Sequence, residues 1–294
     1  MGSTLGEVVA EVAQQFGGAG LVFGHGTDNA WDEAVALVLG ALGCPDDEAY
    51  LGQALTQGER TLVAELAERR VQHREPVAYL IGKAQYSGHE FLCEAGVVIP
   101  RSPISQLIAQ GLRPWLRDAP HTVADVCCGT GCLGILCGHV FPQAVVTLLD
   151  IEPQAAALAQ RNVDAHGLAD RVEVGVADLL AQPHPTSFDL IVSNPPYVDA
   201  ADFAVRPAEF RHEPDLGLAG GADGLDVVTR LMEQAARCLA TDGLLICEVG
   251  ASAPALIRRF PRMPFVWPDL PDGGEGIFVL DARALAASSI GHRA

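Results

Sequence analysis

Apolar positions near the start of the chain recur as Leu5, Val8, Val9, Val12 and Phe16. They line one face of a 3.6-residue period and predict a helix over 4–16. The glycine-rich GGAGLVFGHGT breaks it. Asp28 or Asn29 is then placed to cap a second helix through Trp31, Val35, Leu39 and Leu42, which Pro45 stops. A third helix fits 58–74, with Leu62, Leu66 and Arg69 at helical spacing and Pro76 past its end. The three predict a small all-α domain over 1–82 that carries no catalytic motif. After it, YSGHEFLCEAGVVIP alternates and turns like a β-hairpin, a linker over 83–98.

Residues 99–294 read differently. Ser102-Pro103 opens a helix expected over 103–117. The runs TVADV, AVVTLLD, RVEVGVA, FDLIVSN and GLLICEV then alternate with helical stretches such as 153–166 and 225–240. Continuous β-branched runs separated by helices predict a mostly parallel sheet covered on both faces, an α/β fold. Segments 263–267 and 276–280 flank the turn-rich PDGGEG and are expected to close the sheet as an antiparallel pair.

Composition narrows the function. The 294 residues suit an α/β domain of about 200 residues and a smaller companion. An apolar content of 49% against 19% charged excludes wholesale disorder. The net charge is −18, and Lys83 is the only lysine. Gripping nucleic-acid phosphates is therefore excluded as the main mode of binding. The charge serves solubility or attracts a basic partner. No apolar run reaches the ~18 residues of a membrane span. The N-terminus has no basic region and carries Glu7 and Glu11 within its apolar stretch, so no signal peptide is expected. The eight cysteines are then expected as reduced thiols in a cytoplasmic protein. Cys127, Cys128, Cys132 and Cys137 lack paired C-x₂-C spacing and are expected as small buried thiols, not metal ligands. His25 and His89 are expected as packing or hydrogen-bonding groups.

Four motifs carry chemistry. Asp125-Val-Cys-Cys-Gly129-Thr-Gly131 ends one strand and opens a helix, where glycines permit a tight turn and close approach to a ligand. The same pattern also serves as a plain structural turn. Asp150 ends the next strand about 20 residues on, where an acid accepts ribose hydroxyls or caps the following helix. Asp178 follows the third strand, as an acceptor for an exocyclic adenine amine or as a solvated loop acid. Asn194-Pro195-Pro196-Tyr197 follows the fourth. Its prolines fix φ and leave carbonyls as acceptors only, its asparagine adds an amide oxygen, and its tyrosine adds a flat wall. Such a loop suits a planar –NH₂ group held by both hydrogens.

Together these features resemble the class I S-adenosylmethionine-dependent methyltransferases. That family implies a Rossmann-like, mostly parallel seven-stranded sheet. N-P-P-Y narrows the resemblance to enzymes that methylate an amide or exocyclic amine nitrogen. REPVAYLIGKAQYSGHEF, VVIPRSPISQLI, DVCCGTGC, SNPPYVDA and RHEPDLGLAGGADGLD are similar to the protein N5-glutamine methyltransferases. GHGTDNAWDEA, GHEF and PRSPI resemble the branch that modifies a glutamine of ribosomal large-subunit protein L-three. The branch acting on release factors usually reads P-R-P-[DE]-T where this chain has PRSPI.

The resemblance implies S-adenosylmethionine as cofactor, leaving as S-adenosylhomocysteine. Asp125, Cys127, Gly129, Thr130 and Gly131 match the loop that cradles its methionine end. Asp150 matches the ribose acid, Ile151 the residue against adenine, and Asp178 and Leu179 the adenine-side pair. Phe91 falls where the family places an aromatic near the cofactor. Asn194, Pro195, Pro196 and Tyr197 match the glutamine-binding loop. Asn194 also borders the cofactor, and the Tyr197 ring, more than its hydroxyl, is expected to matter. His212 and Glu213 are expected to order the following loop.

An amide nitrogen is a poor nucleophile, so it must be held in line with the methyl group it receives. The Asn194 oxygen and the Pro195 carbonyl are suited to its two hydrogens and bind more tightly as the nitrogen turns positive. The expected partner is ribosomal protein L-three, with the helical domain recognising it and with neither a membrane nor a direct nucleic-acid contact. A release-factor glutamine methyltransferase, an exocyclic-amine nucleic-acid methyltransferase and a non-enzymatic cofactor-binding module are the alternatives.

Overall fold

The computed structural model describes residues 3–45, 50–181 and 187–287. The chain divides into two units. The first comprises Met1–Ala95, Ile99–Arg101 and Pro207–Glu213, and the second Gly96–Val98, Ser102–Arg206 and Pro214–Ala294. The hairpin therefore counts with the helices, as does the short stretch 207–213. This partition differs from a division at 82/83 and 98/99.

In the first unit, α1 (Leu5–Gly18) starts at a capping box in which the Thr4 hydroxyl accepts the Glu7 N–H and the Glu7 carboxylate accepts the Thr4 N–H. Its five predicted apolar residues are all buried. Asn29 caps α2 (Ala30–Leu42), accepting the Asp32 N–H at 2.9 Å. Thr56 and Glu59 box the start of α3 (Gln57–His73), and α4 (Val77–Ile81) follows Pro76. β1 (Lys83–Tyr86) and β2 (His89–Leu92) pair antiparallel across Ser87 and Gly88, both at positive φ, as a two-residue hairpin turn requires.

Two predicted faces are rotated. Trp31 is 52% exposed, whereas α2 buries Glu33, Ala34, Leu37, Val38 and Leu39. Leu62 is 42% exposed, and α3 buries Val63, Leu66, Ala67 and Arg70. Arg70 turns inward because Glu33 meets it, with Nε 2.9 Å from the carboxylate. A buried cation is tolerable only with such a partner, which lies on another element. Stretch 207–213 supplies two further acids. The Glu209 carboxylate accepts the Val22 N–H and lies 3.7 Å from Arg70 and 3.5 Å from Arg74. Glu213 accepts both Arg101 Nη groups and the Ile99 N–H and lies 3.5 Å from His25. Burial alone would raise the Glu213 carboxyl, but His25 and Arg101 outweigh it and hold it at about 2. His25 stacks against Phe210, and the His212 ring meets the His73 carbonyl at 2.8 Å. These histidines and Glu213 order the unit, as expected.

The second unit holds α5 (Ile104–Ala109), β3 (Thr122–Val126), α6 (Cys132–Val140), β4 (Val145–Asp150), α7 (Pro153–Ala165), β5 (Val172–Val176), β6 (Phe188–Ser193), α8 (Ala200–Val205), α9 (Asp215–Leu218), α10 (Asp226–Cys238), β7 (Leu239–Glu248), α11 (Ala253–Arg259), β8 (Ile277–Asp281) and α12 (Ala282–Ala287). Among the described residues the sheet has six strands in the order β5-β4-β3-β6-β7-β8, parallel except for β8. The fold class is the one expected, but the seventh strand is reduced to a single bridge between Val266 and Val279. Pro264 and Pro268 bracket this segment and remove ladder donors. Phe265 and Trp267 still pack edge-on against Phe278.

The helix expected over 103–117 stops at Ala109, where Gly111 and Leu112 turn to positive φ ahead of Pro114. The core joins strand residues Val126, Ile191 and Leu245 to Val228, Leu231 and Met232 of α10. Among the described residues, no helix is long and apolar enough to cross a membrane.

Candidate active site

The strand order reverses at β3, which pairs with β4 on one side and β6 on the other. Ligands of open α/β sheets bind at the carboxyl ends of strands at such a point. Val126 of β3 registers with Ser193 of β6, and the Ser193 hydroxyl donates to the Val126 carbonyl at 2.6 Å. The next residues on the two strands are Cys127, opening the glycine loop, and Asn194, opening N-P-P-Y. Strand pairing thus sets the two motifs side by side.

The loop is built for tightness. Cys127, Gly129 and Gly131 all have positive φ. A Cβ on Gly131 would lie 2.9 Å from Leu148 Cδ1 and 3.2 Å from the Ala159 Cβ. Asp125 is fully buried, and its Oδ2 accepts the Gly134 N–H at 2.8 Å. Gly129, Gly131 and Gly134 have the G-x-G-x-x-G spacing, and a Cβ on Gly134 would lie 2.1 Å from Leu148 Cδ2. Gly134 serves close packing of α6 on the sheet. Burial, with the nearby Asp150 charge, pushes the Asp125 carboxyl up to about 7. Its Oδ1 is buried without a hydrogen-bond partner. Thr130 is buried, and its carbonyl accepts the Asn162 side-chain amide at 2.9 Å.

Asp150 does not cap α7, whose N-cap is Glu152 with no side-chain cap bond, but it accepts two backbone N–H groups. Its Oδ2 accepts the Gly129 N–H at 2.9 Å and its Oδ1 accepts the Glu152 N–H at 3.0 Å. Each oxygen retains a lone pair for a ligand hydroxyl. Burial raises this carboxyl above its ordinary value despite the two N–H donors. Ile151 follows at 48% exposure, an apolar surface open to a ligand.

Asp178 forms an ion pair with Arg230 of α10, a partner that strand-end spacing alone does not reveal. Leu179 is buried at positive φ. Phe91 lies in the hairpin of the first unit, fully buried and edge-on to Tyr86. The other candidate residues gather at the carboxyl edge of the sheet in the second unit.

In the N-P-P-Y loop, Pro195 is buried and Asn194, Pro196 and Tyr197 are half-buried. The Tyr197 hydroxyl donates to Glu248 Oε1 at 2.6 Å, and its carbonyl accepts the Ser252 hydroxyl at 2.8 Å. Ser102 donates to Glu248 Oε2 at 2.5 Å. Glu248, Ser102, Ser252, Asn162 and Arg230 are site neighbours that motif reading missed. Glu248 alone had a signal, as an acid ending the predicted strand GLLICEV. Burial raises the thiols of Cys127, Cys128, Cys137 and Cys247, which keeps them protonated and non-nucleophilic.

The doubly covered parallel sheet, with a glycine turn and an acid at successive strand ends, defines a class I methyltransferase that uses S-adenosylmethionine. The methyltransferase small domain family matches residues 104–209. The ribosomal protein uL3 glutamine methyltransferase of Bordetella pertussis is 40% identical over 286 residues, covering 96% of each chain. That of Francisella tularensis is 42% identical over 262 residues, covering 88% of this chain and 83% of its own. The chain belongs to the ribosomal protein uL3 glutamine methyltransferase family. The crystal structure of the hMettl16 catalytic domain in complex with MAT2A 3′UTR hairpin 1 is similar in fold alone. It has a TM-score of 0.50 and 13% identity, and covers 80% of this chain and 83% of its own.

Proposed function

We propose that the chain methylates the side-chain amide nitrogen of a glutamine in ribosomal protein uL3. The observation that carries this reading is the pairing of Val126 with Ser193, which sets N-P-P-Y directly beside the glycine loop. The buried, unpartnered Asp125 Oδ1, the free lone pairs of Asp150 and the exposed Ile151 fit an amino-acid-bearing nucleoside. S-adenosylmethionine supplies a sulfonium methyl group when bound. Asp125, Cys127, Gly129, Thr130 and Gly131 hold its methionine end, Asp150 its ribose, and Ile151 with Asp178 and Leu179 its base. Arg230 shares Asp178, which leaves one carboxylate oxygen for the adenine amine.

The Asn194 side-chain oxygen and the Pro195 carbonyl accept the two amide hydrogens of the glutamine, and Pro196 and Tyr197 shape the pocket around it. Both acceptors bind more strongly as positive charge develops on the nitrogen. No general base is needed, because the N-methylated amidium is strongly acidic.

The helical unit recruits the substrate. Residues 1–82 carry 12 acidic and 4 basic residues, a net negative charge that draws a basic ribosomal protein and repels RNA. The reaction belongs to the cytoplasm, where ribosomal proteins are made. The test is incubation with labelled S-adenosylmethionine and separated ribosomal proteins, release factors and naked RNA. Label is expected on uL3, with an initial rate that falls as salt rises. Label confined to a release factor or to RNA overturns the substrate.

A further inference from the structure

Tyr197 is fixed through its hydroxyl, its backbone carbonyl and its ring edge. Its hydroxyl donates to Glu248 Oε1, its carbonyl accepts from Ser252, and its edge lies over Gly250, where a Cβ would sit 2.6 Å from Tyr197 Cε2. Gly250 has φ +45 and is itself pressed against Gly276, so that surface cannot yield to a side chain. Glu248 ends β7 in register with Ile277 of β8 and is 6% exposed, an acid buried at the carboxyl edge of the sheet. Its second oxygen takes the Ser102 hydroxyl, and the Ser102 oxygen in turn accepts the Ile104 N–H at 3.3 Å, at the start of α5. One buried carboxylate therefore joins the first turn of α5 to the aromatic residue of the N-P-P-Y loop. A carboxylate accepting two O–H donors holds both in a narrow range of directions. A solvated loop tyrosine would otherwise sample several rotamers.

We propose that Glu248 is a positioning residue for methyl transfer, acting through the Tyr197 hydroxyl, with Ser102 fixing its second oxygen. The inference rests on the reading of N-P-P-Y as the glutamine-binding loop. It adds that the loop's aromatic wall is aimed from β7 and α5 rather than by the prolines alone. It also reassigns the Tyr197 hydroxyl. Expected from sequence to matter less than the ring, the hydroxyl is a point at which the ring is held.

The test uses the full chain with S-adenosylmethionine and uL3, comparing wild type with Glu248→Gln, Tyr197→Phe, their double variant, Ser102→Ala and Ser102→Thr. Glu248→Gln and Tyr197→Phe are each expected to lower kcat for uL3 about tenfold, with S-adenosylmethionine affinity within twofold of wild type. The double variant is expected to be no slower than the slower single variant, because both remove one contact. Ser102→Ala is expected to lose less, and Ser102→Thr to restore it. Additive losses, or a Glu248→Gln variant within twofold of an active wild type, overturn the inference. A fall in cofactor affinity that matches the fall in rate also overturns it.

A second readout is independent of turnover. The ζ-carbon resonance of Tyr197 in ¹³C-tyrosine-labelled protein, assigned by its loss in Tyr197→Phe, is expected to shift in Glu248→Gln and in Ser102→Ala. An unchanged resonance overturns the link even if uL3 proves not to be the substrate. A wild type inactive on uL3 with the shift present overturns the substrate reading alone.

Discussion

Asp150 and Gly129 are joined by a 2.9 Å hydrogen bond from the glycine N–H to the carboxylate, so the acid that ends β4 fastens the turn that ends β3. The proposed ribose acceptor is thus also the clasp of the loop proposed to hold the methionine end.

Replacing Asp150 by alanine removes both functions. S-adenosylmethionine binding should weaken by roughly 1.5–3 kcal/mol, the range for hydrogen bonds to a charged acceptor. Asp150→Asn keeps one acceptor oxygen and should lose less. Titration calorimetry decides it, and unchanged affinity in Asp150→Ala removes this residue from the cofactor site.

Asn194→Ala should separate catalysis from binding. Its oxygen is proposed to act on the nucleophile as charge develops, so kcat should fall by a factor of about a hundred, the scale of losing one transition-state hydrogen bond. Affinity for S-adenosylmethionine should change far less. Single-turnover rates measured beside equilibrium binding give both numbers, and methyl transfer within a few-fold of wild type would refute the positioning role.

The Asp125 carboxyl is raised by burial to about 7, above its unfolded value of about 3.9. Between these values the folded state holds a proton that the unfolded state has lost, so stability falls as pH rises from about 4 through about 7. Asp125→Asn keeps an acceptor for the Gly134 N–H without the charge. It should raise the melting temperature of the ligand-free protein at pH 8 and do little at pH 5. Melting curves at the two pH values check the sign, and equal effects at both would contradict it.

Glu213 has the opposite sign. Its carboxyl is held at about 2 in the folded chain, against an ordinary value of about 4.3. The stability it contributes is complete above the ordinary value and is lost as pH falls through about 2. Glu213→Gln leaves Arg101 without its bidentate partner and should cost roughly 3–5 kcal/mol at pH 7, as breaking a buried pair does. The deficit should shrink in acid. Urea denaturation at pH 7 and pH 3 measures it, and a deficit that does not shrink in acid would contradict the pairing.

How much of this was legible depended on the range of the interaction. The Asn29 cap and the Ser87-Gly88 turn are set within a few residues, and so is the left-handed glycine turn after β3. The candidate site was legible for a related reason. Each motif residue lies at or just beyond a strand end, and parallel strands bring those ends to one edge.

Sequence by itself determined the periodicities, the caps, the turns and the chemistry placed at four strand ends, because local backbone preference and burial of one face need no distant partner. Only tertiary structure decided which charges go inside. Arg70 turns to the core because Glu33, 37 residues away, meets it there, and Leu62 is left outside in consequence. Stretch 207–213 belongs to the helical unit because Glu209 and Glu213 find arginines on segments more than a hundred residues earlier in the chain. Tyr197 is held by Glu248, and Glu248 by Ser102 across 146 residues. A buried polar group is tolerable only once its partner has arrived, and a linear pattern does not record which distant segment brings it.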